Sequence, residues 1–521
     1  MRTILTISLL LAAVGCDKTD ANKPAPNANA TAATPVGTGT ISSVGTAAKI
    51  ASEIPVTSTN AQALEAYKLG FDEFLNAHGD EAREQFKKAT ALDAKFVTAM
   101  AMEGASTPGA EGLKKTADAI ALGAALPEAE RVHLQLHQAF AARDYVKSVE
   151  LGKKLTEVAA GAWIAHLLYG RALTTFGKRD EAQVAFKRAA ELDPTAGLPY
   201  NDMAYNELNT GKQDDAIAHF KRYTELSPKE ANAQDSLGEA LLMGGKYDEA
   251  EGAFKRAIDL NPKFLGAYDG LGLTRLYKGD WAGAFDAFGK MRDQSPMIDG
   301  KGSAFRDIVW GQVAQGKPAE AAKTLDAWDA EVAKSKDEAA GVIATLTRAS
   351  VAIETKKEAD GLKILATLGD KIEKIEAPAP RKIAWKSYLR VNELVAESRL
   401  GKKTDADKAL AATQELLGKS EDADQKGLLA LATGEAALAK GDAKAAVDAF
   451  AGCALLDDYC RLERAKAQDK SGDKTGAAAT REQLQKTHRR DAVSFYAWSK
   501  VAPAPASAAT APAPTAADPK K

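Results

Sequence analysis

Three cysteines, six histidines and a formal net charge of −2 are all that this 521-residue chain offers in three properties that often disclose function. Each scarcity removes a class of explanation. Three cysteines exclude a small fold stapled by a disulfide framework. With 69 Lys and Arg against 71 Asp and Glu, no cationic excess points to nucleic acid, which is not expected as a partner. Aromatic residues are 6% of the chain, few for a large globular core but enough for a fold that packs helix on helix through alanine. The apolar run Ile4–Val14 is too short to span a membrane. There is no glycine-rich phosphate loop, no nucleophile elbow and no cysteine-histidine pair in a plausible context, so neither an enzyme nor a cofactor is expected.

The histidines do not reverse that expectation. His133 and His137, in HLQLH, have the spacing of two ligands on one helical face. A zinc protease needs a glutamate directly after the first histidine, and Leu134 stands there instead. No third ligand is evident, so the pair reads as two partly solvated helix residues and no metal site is assigned. His78, His166, His219 and His488 are isolated within helical segments.

What the chain does have is a period. Pro194, Pro228, Pro262 and Pro296 follow one another at intervals of 34 residues. In the same register stand Ala182, Ala216, Ala250 and Ala284, then Phe186, Phe220, Phe254 and Phe288. Gly170, Ala204, Gly238 and Gly272 form another column, and Gly177, Gly211, Gly245 and Gly279 a fourth. Small residues let the two helices of a hairpin approach, and the phenylalanine fills the space between hairpins. The last glycine column supplies a left-handed cap, and the proline ends the second helix. The sequence therefore predicts an all-α solenoid of stacked helix-turn-helix hairpins.

The stretches YGRALTTFGKRDEAQVAFKRAAELDP and LGEALLMGGKYDEAEGAFKRAIDLNP carry nearly every signature position of the tetratricopeptide repeat, and the chain closely resembles that family. The best repeats cover 163–298, within a solenoid of 61–298. A further match, LGFDEFLNAHGDEAREQFKKATALDA, has Ala94 in place of the proline. A weaker repeat lies at 129–162, and 95–128 holds a degenerate hairpin. Beyond 298 the period slips, then returns around Gly316, Gly401, Gly441 and Gly472, so 299–498 is read as degenerate repeats. The 299–425 stretch is the place where a catalytic part would have to lie if the chain were an accessory or degenerate enzyme. GQVAQGKPAEAAKTLDAW instead continues the repeats there.

The resemblance implies a binding surface. In the family, recurring positions of each first helix line a concave face. Here they are Arg171, Asn201, Tyr205, Asn209, Asn232, Asp235, Glu239, Met243, Asp269 and Tyr277. This ladder suits an extended protein or peptide partner, and its acidic centre at Asp235, Glu239 and Asp269 favours a basic segment. The lysines with which the family's chaperone-tail receptors hold a terminal carboxylate are absent, so that specificity is not implied. Acidic residues near helix starts also satisfy the helix dipole without any ligand. A solenoid that binds only itself in an oligomer is the remaining alternative, and oligomeric state is left open.

The ends carry the location. Arg2, the run Ile4–Val14 and Gly15-Cys16 resemble a bacterial lipoprotein signal, with 1–15 removed and Cys16 lipidated, although Ala13 replaces the usual leucine. An envelope protein held to a membrane only by this lipid is the expectation, with the leaflet undecided. Residues 16–60 read as a flexible linker and 499–521 as a disordered Ala/Pro tail. Export leaves Cys453 and Cys460 in an oxidising compartment. On one helix, seven residues would separate them by ~10.5 Å, but a turn at Asp457-Asp458 is expected to fold them together as a disulfide, the alternative being two buried small hydrophobes that stay reduced.

Overall fold

The computed structural model describes residues 54–502, apart from 77, 108, 378, 419–422 and 454–457. The export segment, Cys16, most of the linker and the tail beyond 502 lie outside the described residues. Among the described residues the secondary structure is helical, with no strand. No described helix is long and apolar enough to cross a membrane. The chain divides into two compact units at Pro228, one of the four spaced prolines, rather than at 298 where the repeat pattern weakens.

The first unit is built from five helical hairpins: α1 (Ala61–Leu75) with α2 (Gly79–Leu92), α3 (Val97–Ala105) with α4 (Gly109–Leu122), α5 (Glu128–Ala142) with α6 (Tyr145–Val158), α7 (Trp163–Thr175) with α8 (Arg179–Leu192), and α9 (Leu198–Asn209) with α10 (Gln213–Leu226). Its ordered chain begins before 61. Ile54 is buried, Thr57 donates from its backbone N–H and its hydroxyl to Glu130 at 3.0 and 2.6 Å, and Ser58 donates to Asp93 at 2.6 Å. Asn60 then caps α1, accepting from the N–H groups of Gln62 and Ala63. The linker reading therefore fails over 54–60, where polar groups that looked solvated in sequence find carboxylate partners, Glu130 buried and Asp93 half-buried.

The second unit continues with α11 (Ala231–Met243) and α12 (Tyr247–Leu260), α13 (Leu265–Lys278) and α14 (Trp281–Gln294), α15 (Ile298–Ala314) and α16 (Pro318–Ser335). Next come α17 (Glu338–Glu354), returning through the short α18 (Glu358–Leu365) and α19 (Leu368–Lys374), and the pair α20 (Ala379–Arg399) and α21 (Lys403–Leu417). The unit ends with α22 (Ala423–Lys440) and α23 (Ala443–Phe450), α24 (Asp458–Ser471) and α25 (Lys474–Gln485), and a last unpaired helix, α26 (Ala492–Ser499). The 34-residue period slips after 298 because α15, α16 and α17 have 17, 18 and 17 residues, whereas α11 to α14 have 13 or 14.

The sequence columns map onto packing. Phe186, Phe220, Phe254 and Phe288 are all 2% exposed or less. A Cβ on Gly170 would lie 2.4 Å from the Phe186 ring, and one on Gly272 2.3 Å from Phe288. The ring thus fills the space inside its own hairpin. Phe254 also meets Gly270 of the next hairpin, so one aromatic serves both contacts. The residues before the prolines, Asp193, Ser227, Asn261 and Ser295, leave the α region as a following proline requires. Gly177, Gly211, Gly245 and Gly279 all have positive φ, and in the weaker repeat Arg143 takes the same place at φ 58°. Cys453 and Cys460 are joined as a disulfide with Cα atoms 6.4 Å apart, and Cys460 is buried beside Phe450 and Ala446.

Candidate functional site

The residues expected to line a concave face fall into both units. In the first, Arg171 on α7 reaches Asp202 on α9 at 2.5 Å, and Asn201 donates to the same carboxylate at 3.1 Å. Tyr205 packs edge-on to Phe220, and Asn209 is exposed, its amide donating to the Tyr205 carbonyl at 2.8 Å. This stretch of the face is polar, mixed in charge and only partly covered.

His133 and His137 are not the solvated pair that the spacing suggested. Both are buried on α5, with Nε2 atoms 2.9 Å apart, and both rings stand edge-on to Phe71 of α1. Burial pushes His133 well below the usual histidine range and His137 to about 4, so the pair is neutral and one Nε2–H donates to the other. Among the described residues no grouping of His, Cys, Asp and Glu is arranged to hold a metal ion.

In the second unit the acidic centre is already occupied, and the occupant is this chain. Arg490, between α25 and α26, is 5% exposed. It donates from both Nη atoms to the two oxygens of Asp235, each at 2.9 Å. It also reaches Glu239 at 3.4 Å and Asp269 at 3.3 Å, and donates to the carbonyl of Gly266. Its guanidinium lies 5.2 Å from the centre of the Phe254 ring. Burial alone would lower the arginine pKa, but Asp235, Glu239 and Asp269 outweigh it and hold the charge. The fork geometry of a guanidinium matches a carboxylate in a way that a lysine cannot.

Tyr277, expected as a groove anchor, reads the backbone of the same segment. Its hydroxyl accepts from the Arg489 N–H at 3.1 Å and donates to the Arg489 carbonyl at 3.2 Å. His488 stands edge-on to Tyr247 and Tyr277 at 5.3 and 5.4 Å, and burial lowers its pKa. Trp498 and Phe495 of α26 meet Tyr277 at 4.9 and 5.1 Å. The far side of α26 is tied down as well: the Tyr496 hydroxyl donates to Glu354 at 2.7 Å, and Glu354 also accepts from Tyr459 and Arg399. Trp498 donates to the Gln485 carbonyl at 3.1 Å, holding α26 to α25.

The position is over-supplied with carboxylates. Asp307 on α15 is 4% exposed, and burial, followed by the neighbouring Asp269, raises its pKa well above the usual carboxylate range. A hydrogen bond shared with Asp269 acts in the same direction. Asp491, which caps α26 through the Ser494 N–H, is also raised by burial.

The structure thus brings Asp235, Glu239, Asp269 and Tyr277 together around one segment, while Asn232 and Met243 are half-buried at their edge. It corrects the expectation that the acidic centre is an open surface: Asp235 is fully buried and Tyr277 is 3% exposed. Sequence reasoning missed Arg490, His488, Phe495, Tyr496 and Trp498. A signal was present in THRRDAVSFYAWS, where three aromatics crowd eight positions behind a pair of arginines in a chain poor in aromatics.

Two family profiles, both described as Tetratricopeptide repeat, match residues 165–195 and 201–263. Residues 165–195 and 201–263 therefore carry tetratricopeptide repeats. Among solved structures, the chain is similar to YrrB, titled a TPR protein with an unusual peptide-binding site, at 19% identity over 34% of this chain and 91% of that one, TM-score 0.29. PilW, titled a widely conserved type IV pilus biogenesis factor, matches at 18% identity over 39% and 91%, TM-score 0.34. MamA of Desulfovibrio magneticus RS-1 matches at 18% identity over 31% and 92%, TM-score 0.29. Comparison with curated protein sequences gives no match.

Proposed function

We propose that this protein is a non-enzymatic scaffold of a bacterial cell envelope, held to a membrane by lipid on Cys16, that binds protein partners along its concave faces. Tetratricopeptide-repeat proteins generally serve as scaffolds for protein-protein interaction. The observation that carries the concave reading is the treatment of residues 488–498. Side chains one repeat apart grip a guanidinium, read a backbone amide and pack edge-on against aromatics. That is how a groove holds a peptide. The partly covered face around Arg171, Asn201, Tyr205 and Asn209 is the entry point for an external partner in the first unit.

A photo-crosslinking residue at Asn209 tests this in intact envelopes, with one at Val184, 71% exposed on α8, as control. Adducts specific to Asn209 are expected. Equal yields at both positions, or none at Asn209, reject concave binding. Cys16→Ala is expected to move the protein to the soluble fraction, and unchanged membrane association rejects the anchor.

A further inference from the structure

We infer that residues 487–502 are a resident, exchangeable ligand of the acidic concave face of α11, α13 and α15, and that this face is a receptor for partner segments of the same chemistry: an arginine followed by aromatics on one face of a short helix. The inference rests on the scaffold reading above and names the partner class.

Three observations support it. Recognition is layered as in a peptide groove. Asp235 and Asp269 occupy equivalent positions in successive repeats and share one guanidinium, while Tyr277 reads the Arg489 N–H and carbonyl irrespective of side chain. Next, the face holds more acid than its occupant needs. Asp235 alone accepts from both Nη atoms, yet Glu239 and Asp269 are gathered there too. Such a surplus raises the local concentration of cationic segments, a property useful to a receptor and superfluous to a fixed plug. Last, the occupant is joined to the rest of the fold by one covalent connection, and its other ties are side-chain contacts. Helix α26 has eight residues, too few to be stable alone, and joins α25 through the non-helical stretch 486–491. A partner with the same arginine and aromatics would cover the face that its departure exposes.

The test uses the full chain with a site-specific protease sequence placed at Lys486-Thr487, cut after folding, and a fluorescent peptide of residues 487–502. The labelled peptide is expected to replace the native fragment and bind at least about tenfold more weakly in 500 mM than in 50 mM salt. A peptide carrying Arg490→Ala is expected to bind at least about tenfold more weakly, and one carrying Phe495→Ala to lose affinity with the salt dependence unchanged. If the cut fragment stays through gel filtration and never exchanges, the segment is a fixed part of the fold and the inference falls. It falls equally if exchange ignores Arg490→Ala. Failure here leaves partner capture at Asn209 untouched, whereas intact exchange without capture at Asn209 rejects the scaffold reading instead.

Discussion

Removing the Arg490 guanidinium is expected to be costlier than any surface substitution in this chain. The group is buried, makes two 2.9 Å bonds to Asp235 and touches Glu239 and Asp269. Arg490→Ala removes the guanidinium that Asp235, Glu239 and Asp269 share, at a site where Asp235 is fully buried. Losing one partner of a buried pair typically costs 3–5 kcal/mol, most of it the penalty on the group left behind. Arg490→Lys keeps the charge and loses the fork, so roughly half that loss is expected. Asp235→Asn in the Arg490→Ala background removes the worst-placed charge and is expected to recover part of the stability, which a double-mutant cycle measures. Because the chain has two compact units, one global unfolding energy is not defined for it. The assay is therefore local: hydrogen exchange of the peptides spanning 229–280 and 486–502 as urea is raised. A loss below about 1 kcal/mol for Arg490→Ala would refute the reasoning, since so small a value belongs to exposed pairs.

Other substitutions probe independent parts of the account. Arg143→Gly is expected to stabilise the first unit by about 0.5–1 kcal/mol, because Arg143 holds φ 58° where glycine is at ease; a lower thermal midpoint contradicts this. Burial, and then the neighbouring Glu463, raise the pKa of Glu435 on α22 to about 8 from the usual 4.5. The folded state therefore holds that proton more tightly than the unfolded chain, and stability falls as pH rises from about 4.5 to about 8. Glu435→Gln should accordingly raise the thermal midpoint at pH 8.5 much more than at pH 5, and equal shifts at both would reject the assignment. Thiol labelling of denatured, non-reduced protein is expected to find Cys453 and Cys460 blocked. Cys453→Ala with Cys460→Ala should loosen α24 by about 2–3 kcal/mol, and quantitative labelling of both thiols contradicts the bridge.

The fold was legible because its signal is repeated. Phe186, Phe220, Phe254 and Phe288 state one packing rule four times, and the small residues in register with them, Gly170, Ala204, Gly238 and Gly272, state its complement. Where the rule is stated once, legibility fades. Arg143 hides a left-handed cap, and the longer helices after Ile298 hide hairpins that keep the architecture but not the period. The candidate site was half legible. Periodicity places Asp235, Glu239, Asp269 and Tyr277 on one face, but no periodicity tells that Arg490, 255 residues after Asp235, returns to it. The same long-range blindness made His133 and His137 look solvated, since Phe71 and Phe74, which enclose them, lie on another helix.

The central claim is that the C-terminal segment sits on the acidic concave face. The most direct measurement is residue-resolved hydrogen exchange of the Arg489 and Ser494 amides in the intact chain. The Arg489 N–H donates to the Tyr277 hydroxyl and the Ser494 N–H to Asp491, so both are expected to be strongly protected and to lose protection together in Asp235→Asn. Exchange at the rate of a free peptide in the unmodified protein would contradict the account.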